Sequence, residues 1–247
     1  MKKYELTDEI IVKYGSTLHR IKALKDFGNV KTGELGGYIE SGSNLSQEGN
    51  CWVYGNARVC GNAEVCNNAE VFGNAEACDN ARVYSNAKVF GNAEVYGNAK
   101  VHSNAKVFGN AEVFGNAEVC GNAEVHGDAE VFGNAEVCGN AEVHGDAEVC
   151  GNAEVCDNAE VFGNAEVHGN AEVFGNSDYI TIKGLGSKYR NTTIFRTKEN
   201  IAVKCGCFYG TLAEFVDKVK ETHGNSKFAK EYLALIDLVK IHFELEE

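Results

Sequence analysis

Residues Gly109–Cys138 read GNAEVFGNAEVCGNAEVHGDAEVFGNAEVC, five hexads in which the sixth position wanders among Phe, Cys and His. The register G-N-A-x-V-x extends from Gly49 to Phe174, twenty-one hexads without one insertion. Val fills its column except at Ala77, Ala fills its column after Cys51, and the Asn column breaks only at Asp128 and Asp146. A repeat of fixed period decides the fold before local propensity does. In A-x-V the side chains alternate, so Ala and Val share one side and x takes the other. Six residues are too few for a strand plus a helix, but they suffice for a short strand and a corner. Gly and Asn tolerate the left-handed backbone angles a corner needs. Three such sides close a triangular coil of eighteen residues, with Ala and Val filling a narrow interior. Separate support for eighteen comes from residues 121–138, GNAEVHGDAEVFGNAEVC, which recur at 139–156 as GNAEVHGDAEVCGNAEVC. Seven coils spaced about 4.8 Å apart predict a rod of roughly 34 Å.

This pattern resembles the hexapeptide-repeat left-handed parallel β-helix, over about half of the chain. The implied fold class is mainly β: a left-handed parallel β-helix of about seven triangular coils with an N-terminal β cap and a C-terminal α+β domain. The expected boundaries are 1–48 for the cap, 49–176 for the helix and 177–247 for the C-terminal module. In the cap, EIIVKYGSTLHRIKAL reads as two strands around a turn at Tyr14-Gly15-Ser16. In the module, YITIKGLG, TTIFRT and IAVKCGCF read as strands. TLAEFVDKVKETHG carries a capping box, Thr211 with Glu214, and a Gly224 stop. Phe228, Tyr232, Leu235, Val239 and Phe243 have helical spacing. The flanks LGGYIESGSNLSQEGNCWVYGNARV, TTIFRTKENIAVKCGCFYGTLAEFVDKVKETHG and AKEYLALIDLVKIHF are similar to those of hexapeptide-repeat proteins of phages and prophages. That resemblance implies no particular activity.

Composition bounds the partners. Lys and Arg number 23 against 36 Asp and Glu, a formal net charge of −13. Direct nucleic-acid binding is therefore disfavoured, and a basic partner is favoured. No run of about eighteen apolar residues and no apolar leader is present, so neither a membrane nor secretion is expected, and the expected location is the cytoplasm. Ten cysteines in that setting read as reduced thiols. The absence of proline fits stacked strands, whose ladders a missing N–H would break.

Residues eighteen apart are neighbours in a stacked coil, so the x positions form three outward ladders. One is Arg58, Glu76, Glu94, Glu112, Glu130, Glu148 and Glu166. The others end in Glu118, Glu136, Glu154, Glu172 and in Glu124, Glu142, Glu160. Between Glu112 and Glu172 the spacing is about one negative charge per ~1.6 Å of axis, close to the ~1.7 Å of duplex DNA. A DNA-mimic surface of Glu112, Glu130, Glu148 and Glu166 follows as one reading. The plainer reading is a solvated face copied with each duplication, because straight ladders do not trace two grooves.

The position after Val forms three more ladders, rich in Phe, Tyr, Cys and His, which serve as a partner surface or oligomer seam, or simply stack on one another. Two sets invite a metal. His102, Cys120, Cys138 and Cys156 lie in a line, whereas zinc needs ligands converging on one point. His126, Asp128, His144 and Asp146 lie on two neighbouring rungs and make the closer set, although the duplication explains them without metal. The expected metal and cofactor are none.

Many proteins with this helix are acyltransferases, and that resemblance implies loops interrupting the coils with a catalytic His. Here the hexads run unbroken, no Ser-His-Asp or Cys-His arrangement is legible, and no catalytic residue is assigned. The residues expected to bind lie in the module. GLGSKYRNTTIFRTK gathers Lys188, Arg190, Thr192, Thr193, Arg196 and Lys198, and the helix after Thr211 offers free N–H groups. Arg190, Thr192, Thr193, Arg196, Lys198 and Thr211 are the expected ligand-binding set, for an anionic small molecule or a host protein surface. The sequence thus reads as a non-enzymatic scaffold or binding protein of phage type, free to form a homo-oligomer, with the DNA mimic and the acyltransferase as alternatives.

Overall fold

The computed structural model describes residues 2–13 and 15–245. Its centre is a parallel β-solenoid, as the repeat requires and consistent with the left-handed hexapeptide helix. Twenty-one two-residue strands, β4 (Trp52–Val53) through β24 (Glu172–Val173), follow each other at six-residue intervals. They stack into three sheets in which each strand pairs in parallel with the strand eighteen residues away, as in Glu112↔Glu130 and Val113↔Val131. The inward columns are sealed. Val59, Val95, Val131 and Val167 are at most 1% exposed, and so is every Ala from Ala57 to Ala171.

The corners explain the Gly column. Gly121 sits at φ 70°, where a Cβ would lie 2.6 Å from the Gly139 carbonyl oxygen of the next rung. Glycine avoids both the left-handed penalty and that clash. Beside it an Asn ladder climbs each corner. Along most of each ladder the side-chain amide donates to the next Asn oxygen, for example Asn104 to Asn122 at 3.0 Å and Asn122 to Asn140 at 2.9 Å, whereas Asn164 donates back to Asp146.

The rod is one coil longer than the repeat. β3 (Leu35–Ile39) pairs in parallel with β5 (Arg58–Val59), and Leu45 bridges Val65, so about eight coils stack rather than seven. Before it, β1 (Tyr4–Lys13) and β2 (Ser16–Ala23) form an antiparallel hairpin that extends the same sheet. The turn expected between them includes Tyr14, which lies outside the described residues. Trp52 plugs this end, fully buried, with Tyr4 and Phe27 packed edge-on at 6.1 and 5.3 Å.

Not every cysteine is the reduced thiol the composition suggested. Cys60–Cys78 and Cys138–Cys156 are disulfides. Stacking is the cause: successive rungs hold these pairs with Cα atoms 4.7 and 4.5 Å apart, inside the range a disulfide spans.

The C-terminal module is a four-stranded antiparallel sheet followed by two helices. The strands are β25 (Tyr179–Leu185), β26 (Arg190–Arg196), β27 (Ile201–Cys205) and β28 (Phe208–Thr211); the helices are α1 (Leu212–His223) and α2 (Lys227–His242). Thr211 caps α1 in a capping box with Glu214, and Gly224 ends it at φ 53°. The sheet is a two-sided wall. Tyr179, Phe195 and Ala202 join the core of the rod, while Ile194, Val203 and Cys205 pack with Phe215, Tyr232 and Val239 of the helices. The wall also closes the last coil. Thr193 Oγ1 accepts the Glu166 N–H at 3.0 Å and Asn176 Oδ1 accepts the Glu160 N–H at 2.8 Å, two donors a bare coil end would leave unpaired. No helix among the described residues is long and apolar enough to cross a membrane.

Candidate functional site

Of the six residues expected to hold an anion, Arg196, Lys198 and Thr211 line one open pocket of about 580 Å³ at the end of β26, while Arg190, Thr192 and Thr193 lie away from it. In β26 alternate side chains face opposite ways, and both faces are covered. Thr192 and Thr193 are fully buried, the first donating to Cys205 Sγ at 3.2 Å and the second capping Glu166. Arg190 and Arg196 share a face but stand at opposite ends of the strand, on the order of 20 Å apart. Arg196 pairs with Asp178 at 3.2 Å and lies over the Phe243 ring. Lys198 reaches back to Glu154 and Glu172 of the rod at 3.4 and 3.6 Å. Thr211 and the first turn of α1 are already occupied by the capping box, since Glu214 accepts from the Thr211 N–H at 2.8 Å. That carboxylate fills the anion position.

Arg190 lines a separate cavity of about 340 Å³ between the sheet and the helices. Cys205, Phe215, Val219 and Tyr232 form its buried floor, and Lys188, Arg190, Lys218 and Cys207 stand exposed at its mouth. Thr222 and His223 of α1 complete the wall. Lys218 is paired with Glu221 at 2.8 Å, whereas Lys188 and Arg190 have no ion pair among the described residues. Sequence reasoning missed Lys218, His223 and Tyr232 because they come from three separate turns of two helices. Burial pushes the Tyr232 hydroxyl well above the usual phenol range, and its contact with Cys205 adds to this. The phenol stays neutral.

On the rod, the Glu ladders stand in register as expected, but part of their charge is cancelled. Lys100 and Lys106 bridge to Glu118 and Glu124 at 3.1 and 2.7 Å, and Lys204 of the module bridges to Glu166 at 3.3 Å. Glu112 and Glu130 have no cation partner among the described residues; Tyr96 Oη donates to Glu112 at 2.8 Å. The sixth-position ladders stack. Phe72, Phe90, Phe108, His126, His144 and Phe162 form one column with ring centres 4.6–5.7 Å apart.

The metal-ligand sets rearrange as well. His126 and His144 turn their Nε2 to Glu142 at 2.7 Å and Glu160 at 3.0 Å, while Asp128 and Asp146 accept from Asn110 and Asn164 at 2.8 and 3.2 Å. Each residue of that set is thus held apart by its own neighbour. Three other groups bring donor atoms within 4.8 Å of one another among the described residues: His102, Glu118 and Cys120; Glu136, Cys138 and Cys156; and Glu148, Cys150 and His168. The last has the connectivity of a nucleophile, a base and an acid, with Cys150 Sγ 3.1 Å from His168 Nδ1. Its chemistry points away from a nucleophile. Burial, with the nearby Glu148 carboxylate, pushes the Cys150 thiol up to about 12. Burial and the Lys204 ammonium hold His168 below the usual imidazole range. A neutral thiol beside a neutral imidazole lacks the thiolate such catalysis needs.

No family model matches the chain. Over 62 residues it is 39% identical to a protein of Escherichia coli (strain K12) named "Uncharacterized acetyltransferase YdcK". That similarity covers 22% of this chain and 19% of the relative, so the chain spans about a fifth of the length of the protein it matches.

Proposed function

We propose that the protein is a non-enzymatic binding protein in which the rod is a stiff support and the module takes a small anionic ligand in the cavity at Arg190. One observation carries this reading. In a chain of net charge −13, Lys188 and Arg190 stand without ion pairs among the described residues, at the mouth of an apolar-floored cavity. Arginine's planar fork suits a phosphate or carboxylate, and the aromatic floor suits an apolar body behind it. One use of such a site would be the sequestration of an anionic signal molecule.

The test is calorimetric titration of the full chain with pyrophosphate. The expected result is binding weakened about tenfold or more by Arg190→Ala, as loss of a charge-assisted contact predicts, and unaffected by Arg196→Ala. Equal binding by both variants and the parent, or no binding at all, overturns the proposal.

The name of the E. coli relative favours a second reading, acyl transfer, for which the anion would be the phosphates of an acyl-coenzyme A. Release of free coenzyme A from acetyl-coenzyme A, above background and lost in His223→Ala, would replace binding with catalysis at the same cavity.

A further inference from the structure

We infer that Glu148, Cys150 and His168 form a site for one divalent transition metal of zinc or cobalt type, at the junction of the rod and the C-terminal module. The donors come from two adjacent rungs. Glu148 and Cys150 flank Val149 on β20 (Glu148–Val149), and His168 stands one rung on, directly beyond Cys150. Outward neighbours two residues apart on one strand, with those on the next strand, make a small square of side chains. Here the square is Glu148, Cys150, Glu166 and His168.

The separations suit a metal. Glu148 Oε1 is 3.7 Å from Cys150 Sγ and 3.4 Å from His168 Nε2, the nitrogen the ion would take, while Nδ1 of the same ring stands 3.1 Å from Cys150 Sγ. Donors around a tetrahedral ion with bonds of about 2.0–2.3 Å stand roughly 3.3–3.7 Å from one another. A thiol, an imidazole and a carboxylate are the donor types such an ion takes.

Two further observations separate this group from its two look-alikes. First, His168 Nε2 is buried and makes no hydrogen bond among the described residues, an unusual state for a ring nitrogen between two carboxylates. In the group of His102, Glu118 and Cys120 both ring nitrogens are engaged, with Ser103 at 3.1 Å and Glu118 at 2.7 Å, and Lys100 holds the same carboxylate. Second, Cys150 has no sulfur to pair with. Its ladder neighbours are Phe132 and His168, whereas the group of Glu136, Cys138 and Cys156 has spent both thiols on a disulfide.

The surrounding charges are Glu166, Lys204 and Glu130. Lys204 stays on Glu166 at 3.3 Å and neutralises it, leaving Glu148 as the ligating carboxylate. Glu166 Oε2, 3.7 Å from His168 Nε2, stays with Lys204 at the edge of the site. Metal binding releases the Cys150 proton to solvent, because the ligand is the thiolate. Lys204 and the Thr193 contact to Glu166 both belong to the module, so the ion would tie the last coils to their cap.

The experiment titrates the full chain with Co²⁺ and follows the near-ultraviolet thiolate-to-cobalt band together with the stoichiometry by elemental analysis. We expect one equivalent per chain with a thiolate band. Cys150→Ser should abolish the band, and His168→Gln and Glu148→Gln should each weaken binding tenfold or more, while Cys120→Ser leaves both readouts unchanged. Glu148 is the most exposed of the three, so Glu148→Gln keeps the test decisive if a buried variant fails to fold. A parent chain without a thiolate band, a band that survives Cys150→Ser, or a Glu148→Gln variant that binds like the parent would overturn the site.

Discussion

The rod and the module solve opposite problems with neighbouring stretches of one chain. In the rod every side chain answers to the residue eighteen positions away, so chemistry is drawn out into lines: Glu above Glu, Phe above Phe, Asn donating to Asn. Lines stabilise by repetition but rarely converge. In the module the chain reverses every few residues, and Lys188, Arg190, Lys218 and Tyr232 meet around one cavity although the sequence scatters them. Convergence on a point is what ligand recognition requires. Where the rod does bring unlike donors together, at Cys150 and His168, a ladder changes residue type beside the module.

The largest effect is expected from breaking the line itself. Val131 is fully buried in a space sized for Val, so Val131→Asp should destabilise by more than about 4 kcal/mol. A thermal scan should show the loss, and a variant that melts like the parent would mean that the Val column does not face inward.

Next is the boundary between the regions. Phe195 belongs to the strand of the module but is buried in the core of the rod. Phe195→Ala should cost about 3–5 kcal/mol. Limited proteolysis should then release the module as a fragment, whereas for an independently docked module the cut pattern would be unchanged.

A smaller effect compares charge lines within the rod. Burial and the neighbouring Glu76 and Glu112 raise the Glu94 carboxyl above its ordinary value. Burial also pushes Glu118 up, but hydrogen bonds from His102 and Lys100 outweigh it and hold that carboxyl below its ordinary value. The signs are opposite. A raised group favours the fold below its unfolded value, about 4.3, and loses that contribution as pH rises through its folded value. A lowered group favours the fold above that value and loses the contribution as pH falls through its folded value. At pH 7, Glu94→Gln should therefore raise the melting temperature and Glu118→Gln lower it, each by well under 1 kcal/mol because both sites are partly exposed. Shifts of the same sign in both variants would contradict the ladder electrostatics.

The rod was legible because its period is arithmetic: A-x-V fixes which side faces in, and eighteen fixes which residues touch. The eighth coil was hidden by a local change of count. Ile39 pairs with Val59 and Leu45 with Val65, twenty residues on instead of eighteen, so the first coil carries no visible hexad. The disulfides were hidden by a compartment argument, although the same eighteen-residue rule places Cys60 on Cys78 and Cys138 on Cys156. In the module the elements and caps were readable, but the cavity at Arg190 was not. A basic, hydroxyl-rich stretch suggested one cluster, whereas a strand buried on both faces sends alternate side chains into two different cores. The capping box at Thr211 and Glu214 already implied that the donors at the start of the helix were satisfied, a signal at odds with an anion site there. Lys218 and Thr222, four residues apart on one helix, were the legible hint of the wall that Arg190 faces.

The division of labour between the two regions can be measured directly by hydrogen–deuterium exchange of the full chain with and without pyrophosphate. The account predicts protection confined to the segments lining the cavity, 186–191, 204–208 and 215–223, with no change along the coils. Protection along the glutamate ladders from Glu112 to Glu172, with the cavity segments unchanged, would contradict it and move recognition onto the rod.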